Sequence, residues 1–297
     1  MSETVVLRVR TTAPADRVRQ AFTDADELST WLAEHAAVEP PDRFEFWGRY
    51  TPEGDVPHQT LRHLDDRSLR FDWRVGGEGT TVEIGWAAGE GDTEDGGDTI
   101  VTLSQSHFPG WQAAVAESSV LGYLYTYWAL SLANLVDHVE GRPLTQKVDF
   151  STTEMRGEVL IGAPVEAVAR SLVDAEEYSR WFGAKIDIEA WEGGRVAMGG
   201  FDMNPEPAKV VDFEPGRRMG IDWGGMVSTW ELAESGGGTR LTFVQSGFDT
   251  GQPPYGAWAG WLSGVAELRR YHELADWRPI WLQPDVPGLP EGMLTEG

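Results

Sequence analysis

The stretch APADRVRQAFTDADELSTWL, Ala13–Leu32, returns as APVEAVARSLVDAEEYSRWF at Ala163–Phe182. Pro164 minus Pro14 is 150, and Trp181 minus Trp31 is also 150, so the copies run in register without a gap. Solenoid repeats are roughly 20–50 residues long. A period this large is the size of a domain, and a chain of 297 residues has room for two. In the first copy Val18, Ala21, Phe22, Leu28, Trp31 and Leu32 recur at three- and four-residue spacing. In the second, Val168, Ser171, Leu172, Tyr178, Trp181 and Phe182 take the same places. That is one buried stripe over two short helices. The helices break at Asp24-Ala25 and Asp174-Ala175, and each run opens with a proline, which suits a first helical turn.

Working outward, each run follows a strand, Thr4–Arg10 or Met155–Ile161, and precedes several more. LRFDWRV alternates Leu69, Phe71 and Trp73 with Arg70, Asp72 and Arg74, and MGIDWGG offers Met219, Ile221 and Trp223 at the same offset of 150. Period-two alternation predicts a sheet with one packed face and one wet face. TIVTLSQSHF (Thr99–Phe108) matches TRLTFVQSGF (Thr239–Phe248) at an offset of 140. The missing ten positions fall largely in the acidic stretch GEGDTEDGGD, read as a solvated loop. Helical periodicity then runs from Leu121 to Val139, and from Trp258 to Tyr271. The first of these runs, 19 residues at about 1.5 Å each, makes a rod of about 28 Å, long enough to cross a sheet. Domains are expected at 1–141 and 153–276, with a proline-rich tail at 277–297.

Composition excludes several classes. Twenty-four basic and 48 acidic side chains leave a net charge of −24. Neutralising phosphate needs a basic face, so nucleic acid is not an expected partner, and neither is an anionic membrane. With no cysteine there is no disulfide, thiolate catalysis or cysteine-rich zinc site. The opening MSETVVLRVR lacks the apolar core of a signal peptide, and no run of about 18 apolar residues exists to span a bilayer. A cytoplasmic protein is expected.

The order of strand, two short helices, antiparallel sheet and long helix, found twice, resembles the SRPBCC superfamily of START and Bet v 1-like helix-grip proteins. Within it the chain is most similar to the branch named for the activator of heat-shock protein 90 ATPase. The residues that carry this are the paired runs at Ala13–Trp31 and Ala163–Trp181, LRFDW, GGGTRLTFVQSGF and the tryptophan-anchored final helices. The first copy lacks the glycine pair Gly193-Gly194 of the second, which puts its second hairpin in question. The resemblance implies an α+β fold of two tandem helix-grip domains, each an antiparallel sheet curved around a long C-terminal helix. It also implies a cavity between sheet and helix. Small apolar or aromatic ligands fill such cavities in many relatives. Some relatives cyclise or dehydrate polyketide-like chains, and others act on a chaperone; fold does not choose among these.

Strand parity nominates the lining. In the second copy it selects Val211, Phe213, Met219, Ile221, Trp223, Trp230, Leu241 and Phe243, with Trp258 and Trp261 from the helix. In the first it selects Phe71 and Trp73, with Trp128 from the helix. These side chains either fill a core or wall a ligand pocket. Gln105 and Gln245 share parity with their apolar neighbours, and a buried amide needs protein, water or ligand partners. His63, aligned with Phe213, and His107, aligned with Gly247, are read on the inner face of the first copy. There they would form an acid–base pair, or else they are satisfied strand-end histidines. Asp72, Asp222, Glu83 and Glu231 fall on the wet face. The six histidines lack metal-ligand spacing, and no GxGxxG or GxSxG stands in the required context, so neither metal nor cofactor is expected. Three functions follow: binding of a small hydrophobic molecule, a cyclase or dehydratase using His63 and His107, or an adaptor for heat-shock protein 90. An intrachain pseudo-dimer would account for the duplication.

Overall fold

The computed structural model describes residues 3–89, 97–116 and 119–295. Most of the acidic stretch GEGDTEDGGD, residues 90–96, lies outside the described residues. The first repeat forms β1 (Glu3–Thr11), α1 (Ala15–Thr23), α2 (Ala25–Trp31), β2 (His35–Glu39), β3 (Arg43–Trp47), β4 (Gln59–Leu64), β5 (Ser68–Val75), β6 (Glu78–Ala88), β7 (Thr99–Phe108), α3 (Trp111–Val115) and α4 (Val120–Val139). The second forms β8 (Met155–Ile161), α5 (Val165–Val173), α6 (Ala175–Phe182), β9 (Ile186–Ile188), β10 (Arg195–Met198), β11 (Ala208–Glu214), β12 (Arg218–Asp222), β13 (Val227–Ser235), β14 (Gly238–Ser246) and α7 (Tyr255–Glu273). A last strand, β15 (Trp281–Asp285), follows. The fold is α+β, with antiparallel sheets and a long helix closing each repeat, as the helix-grip resemblance implied.

The repeats share hydrogen bonds as well as sequence. Asp24 Oδ1 accepts the N–H groups of Asp26 and Glu27, and Asp174 Oδ1 accepts that of Glu177, so one aspartate caps α2 and the other α6. Trp31 Nε1 donates to Ala21 O at 3.0 Å, and Trp181 Nε1 donates to Ser171 O at 2.8 Å. Each indole pins the second short helix to the first. Thr99 and Thr239 each donate to the alanine carbonyl of their Ala-Pro turn, Ala13 or Ala163, at 2.7 Å. The final helices end on glutamates that hold the chain just past the first strand: Glu140 Oε1 accepts Thr12 N, and Glu273 Oε1 accepts Gly162 N, both at 3.0 Å.

The chain divides into two compact units that are not its two sequence halves. One comprises Met1–Thr152, Tyr255–Ser263 and Ile280–Leu289; the other comprises Thr153–Pro254, Gly264–Pro279 and Pro290–Gly297. In the first unit a six-stranded sheet has the order β15-β1-β7-β6-β5-β4, with β2 and β3 as a separate ribbon. The hairpin put in question by the missing glycines is therefore present. The proline-rich tail includes β15, which pairs antiparallel with β1. The sequence signal for a tail was its proline content, yet Pro284 sits within an edge strand, where a missing N–H is tolerated. The linking segment is held too, because Lys147 Nζ donates to the carbonyls of Ser29, Thr30 and Ala33 at the end of α2.

In the second unit a seven-stranded sheet has the order β8-β14-β13-β12-β11-β10-β9. Gly264 lets α7 approach α6, since a Cβ there would lie 2.9 Å from the Phe182 ring. Among the described residues, no helix is long and apolar enough to cross a membrane.

Both sheets carry a bulge at the same place, and it corrects the strand parity. On β4, Leu61 pairs with Phe71 but His63 pairs with Arg70. On β11, Val210 pairs with Ile221 and Asp212 with Gly220. One residue is extra in each strand, Arg62 or Val211, and everything before it on that strand changes face relative to simple alternation. Val210 is therefore buried and Val211 is 45% exposed, opposite to the expectation for Val211. His63 corresponds to Asp212 rather than to Phe213, whose counterpart is Leu64.

Candidate functional site

In the first unit the inner face is filled. Leu69, Phe71, Trp73 and Val75 on β5 are buried, as alternation predicts. Two further rings come from β3. Phe46 lies edge-on to Phe71, Trp73 and Trp128, with centroids 5.9, 5.5 and 6.4 Å away, and Phe44 packs on Phe71 at 5.2 Å. Tyr127 and Trp128 close the cluster from α4. Of the two readings of Phe71, Trp73 and Trp128, this packing supports the core rather than a pocket wall.

Gln105, 2% exposed, finds its partners within the protein. Its Nε2 donates to Thr80 Oγ1 at 3.1 Å, and its Oε1 accepts from Trp128 Nε1 at 2.5 Å. Thr80 in turn donates to Trp73 O. Each polar end of the amide thus has a partner within the protein.

The two histidines do not meet, a correction to the expected acid–base pair. The β4 bulge turns His63 outward, where Nε2 contacts Asp65 Oδ2 at 2.9 Å with both side chains about half exposed. Asp65 is held well below the usual carboxylate range, mainly by the Arg67 N–H and by His63. His107 stands near the end of β7 at a φ of 65°, with its Nδ1 2.9 Å from Ser106 Oγ, so alternation fails there too. Between β4 and β7 lie β5 and β6. Three inter-strand steps of about 4.8 Å separate the histidines by about 14 Å across the sheet. On the outer face, a groove of about 740 Å³ holds His63 among Arg62, Asp72, Arg70 and Glu83. Its charges pair across strands, Arg62 with Asp72 at 2.6 Å and Arg70 with Glu83 at 3.0 Å.

The second unit is built differently on the same plan. Phe44 and Phe46 pair with Val38 and Ala36, whereas Val196 and Met198 pair with Ile188 and Ile186, 150 positions further on. Two aromatic wedges are thus replaced by a valine and a methionine. Along the inner face, directly opposed pairs run Gln245–Ser228, Phe243–Trp230 and Leu241–Leu232. Trp230 and Phe243 pack with centroids 4.2 Å apart and ring planes tilted by 31°. Met219 pairs with Trp230 from the next strand. With Phe213, these two line a cleft of about 20 Å³ beside Ala169 and Leu172 of α5. Trp223 follows β12 instead of lying within it, and its Nε1 donates to Ser228 Oγ at 3.1 Å. Trp258 and Trp261 are buried, on the part of α7 that groups with the first unit.

Gln245, 3% exposed, occupies the place of Gln105. Here Met226 stands where the first unit has Thr80, and Gln245 Nε2 reaches only its Sδ, at 3.2 Å. Among the described residues no donor reaches Gln245 Oε1. Turning the amide over does not help, because a thioether donates nothing and accepts weakly. Leaving such a buried group unpaired costs about 1–3 kcal/mol. Sequence parity identified both glutamines; what it missed was the Thr-to-Met change that makes only one of them deficient.

Among the described residues, no group of three His, Asp or Glu side chains is placed to hold a metal ion. The class defined by this fold is the α+β helix grip. Within that class, the model of the family described as Activator of Hsp90 ATPase homolog 1-like protein matches residues 162–273. Among solved structures, the chain is similar to a Mesorhizobium loti protein at 24% identity, covering 42% of this chain and 99% of that one with a TM-score of 0.35. It is similar to CalU16 from Micromonospora echinospora at 23% identity, covering 40% and 73% with a TM-score of 0.34. It is similar to DynU16, a protein of the dynemicin biosynthetic locus, at 16% identity, covering 91% and 99% with a TM-score of 0.37. No curated protein matches the chain.

Proposed function

We propose that the second unit binds a small, largely apolar, ring-bearing molecule that donates a hydrogen bond to Gln245. The observation that carries this reading is the buried Gln245 Oε1 with no donor, beside a Gln105 whose two ends are both occupied. Replacement of Phe44 and Phe46 by Val196 and Met198 supports it, since the second grip lacks the rings that fill the first. The cleft of about 20 Å³, lined by Met219 and Trp230 but not by Gln245 itself, holds no more than one water as it stands. Entry of a ligand therefore requires side chains to move. Met219 and Met226 are the unbranched, adaptable kind that permits this, and Trp230 and Phe243 offer ring faces for stacking.

The role is binding. His63 is turned outward and His107 lies three strands away, an arrangement that gives the acid–base pair of the cyclase reading no support. The adaptor reading, for heat-shock protein 90, has no supporting observation among the described residues beyond the family match.

The test compares 2-naphthol with 2-methoxynaphthalene, which keeps the rings but cannot donate. Titration calorimetry on the whole protein should show naphthol bound about tenfold more tightly, the worth of roughly one hydrogen bond. The preference should vanish in Gln245→Leu and persist in Gln105→Leu. Equal affinity for both probes, or a preference indifferent to Gln245→Leu, would defeat the proposal.

A further inference from the structure

The two sheets end differently at equivalent edges. In the first unit the outer edge of β1 is covered: Val6, Arg8 and Val9 pair with Asp285, Leu282 and Trp281 of β15, and Arg10 N donates to Ile280 O at 2.8 Å. The counterpart of β1 is β8, which pairs with β14 along Met155–Ile161. Among the described residues nothing pairs with its other side. Strand edges left open present unpaired N–H and C=O groups to any extended segment.

Two features mark the β8 edge as competent to take a strand. It is seven residues long, without proline and without a bulge in its pairing to β14. Its outer face carries Arg156, Glu158 and Leu160, all exposed, with Leu160 at 64%. The charges decide what fits. Arg156 NH2 and Glu158 Oε1 lie 3.1 Å apart on one strand, one positive and one negative at positions i and i+2. In an antiparallel pair with a second β8, centred on Gly157, Arg156 of each copy faces Glu158 of the other. Met155 then faces Val159. Shifting the centre to Arg156 or Glu158 sets like charges opposite each other. Of these three registers the Gly157-centred one alone sets opposite charges face to face, and it has the twofold symmetry of a closed dimer.

We propose that β8 is a homotypic docking edge, through which two copies of this chain join their seven-stranded sheets by antiparallel β8–β8 pairing about Gly157. The net charge of −24 opposes the approach, so association is weak and concentration-dependent at 0.15 M salt, where screening acts beyond roughly 8 Å.

Sedimentation velocity on the full chain across a hundredfold concentration range tests this, with circular dichroism confirming that each variant is folded. Wild type should pass from monomer to dimer. Arg156→Glu and Glu158→Arg should each weaken dimerisation by about tenfold, because each places like charges opposite one another twice. The double exchange Arg156→Glu with Glu158→Arg should restore it to within a few-fold. A wild type that stays monomeric throughout overturns the proposal. So does a dimer insensitive to the single exchanges, or one that the double exchange does not rescue.

Discussion

Trp128 donates its indole N–H to Gln105 Oε1 at 2.5 Å, tying the long helix α4 to the central strand β7 of its sheet. Among the described residues the Gln245 carbonyl has no such donor. The same residue type at the same point of two repeats thus does opposite things to stability.

Gln105→Leu should therefore cost about 1–3 kcal/mol, because it leaves the buried Trp128 N–H unpaired. Gln245→Leu should be neutral or slightly stabilising, since it removes an amide that is already deficient. Denaturant midpoints of the two variants, each compared with wild type, check the asymmetry.

Phe46 touches four other rings of the first core, Phe44, Phe71, Trp73 and Trp128. Phe46→Ala should cost about 3–5 kcal/mol through lost burial and the space left behind. Phe46→Met, the side chain the second unit carries at that place, should cost distinctly less. Thermal unfolding of the two variants ranks them.

The aspartate caps offer a smaller and sharper test. Asp24→Ala removes two N–H acceptances and Asp174→Ala removes one. Each should cost about 1 kcal/mol, with Asp24→Ala the larger. Asp→Asn at either site, which keeps an acceptor, should recover most of the loss in the same denaturation assay.

Burial lowers the His272 pKa below its usual 6.5, with Arg170 adding to the shift and Glu177 and Glu273 opposing it. In that window the unfolded chain takes up a proton that the folded one refuses. Stability is therefore present above pH 6.5 and is lost as pH falls through the lowered value. His272→Gln should flatten the decline between pH 6.5 and 5, measured as the denaturation midpoint at each pH.

Much of this architecture is legible from residue order. Alternation along Leu69–Val75 placed Phe71 and Trp73 inside, and the spacing of Val18, Phe22 and Trp31 marked two helices with a buried stripe. What alternation cannot show is an added residue. The bulges at Arg62 and Val211 turn His63 and Val211 outward, and no local composition marks a bulge that lacks glycine. Nor can periodicity identify the partner of a short strand such as β15, which is decided by an edge some 275 positions earlier. The filling of the first grip depended on Phe44 and Phe46, which lie in a hairpin that the missing glycine pair had made doubtful. Packing of side chains from separate elements is a property of the assembled core rather than of any one segment.

The seating of β15 beside β1 has a consequence for how the molecule comes into being. Arg8 and Gln283 are joined by a hydrogen bond across 275 positions of chain. During synthesis the amino-terminal sheet emerges early but waits, with β1 at its margin, until residues 281–285 have left the ribosome. At roughly 5–20 residues per second that interval lasts on the order of ten seconds to a minute. Over that time a nascent β1 is open to mispairing with any extended segment in reach. Release of the last strand, rather than completion of the first repeat, sets the moment at which this hazard ends.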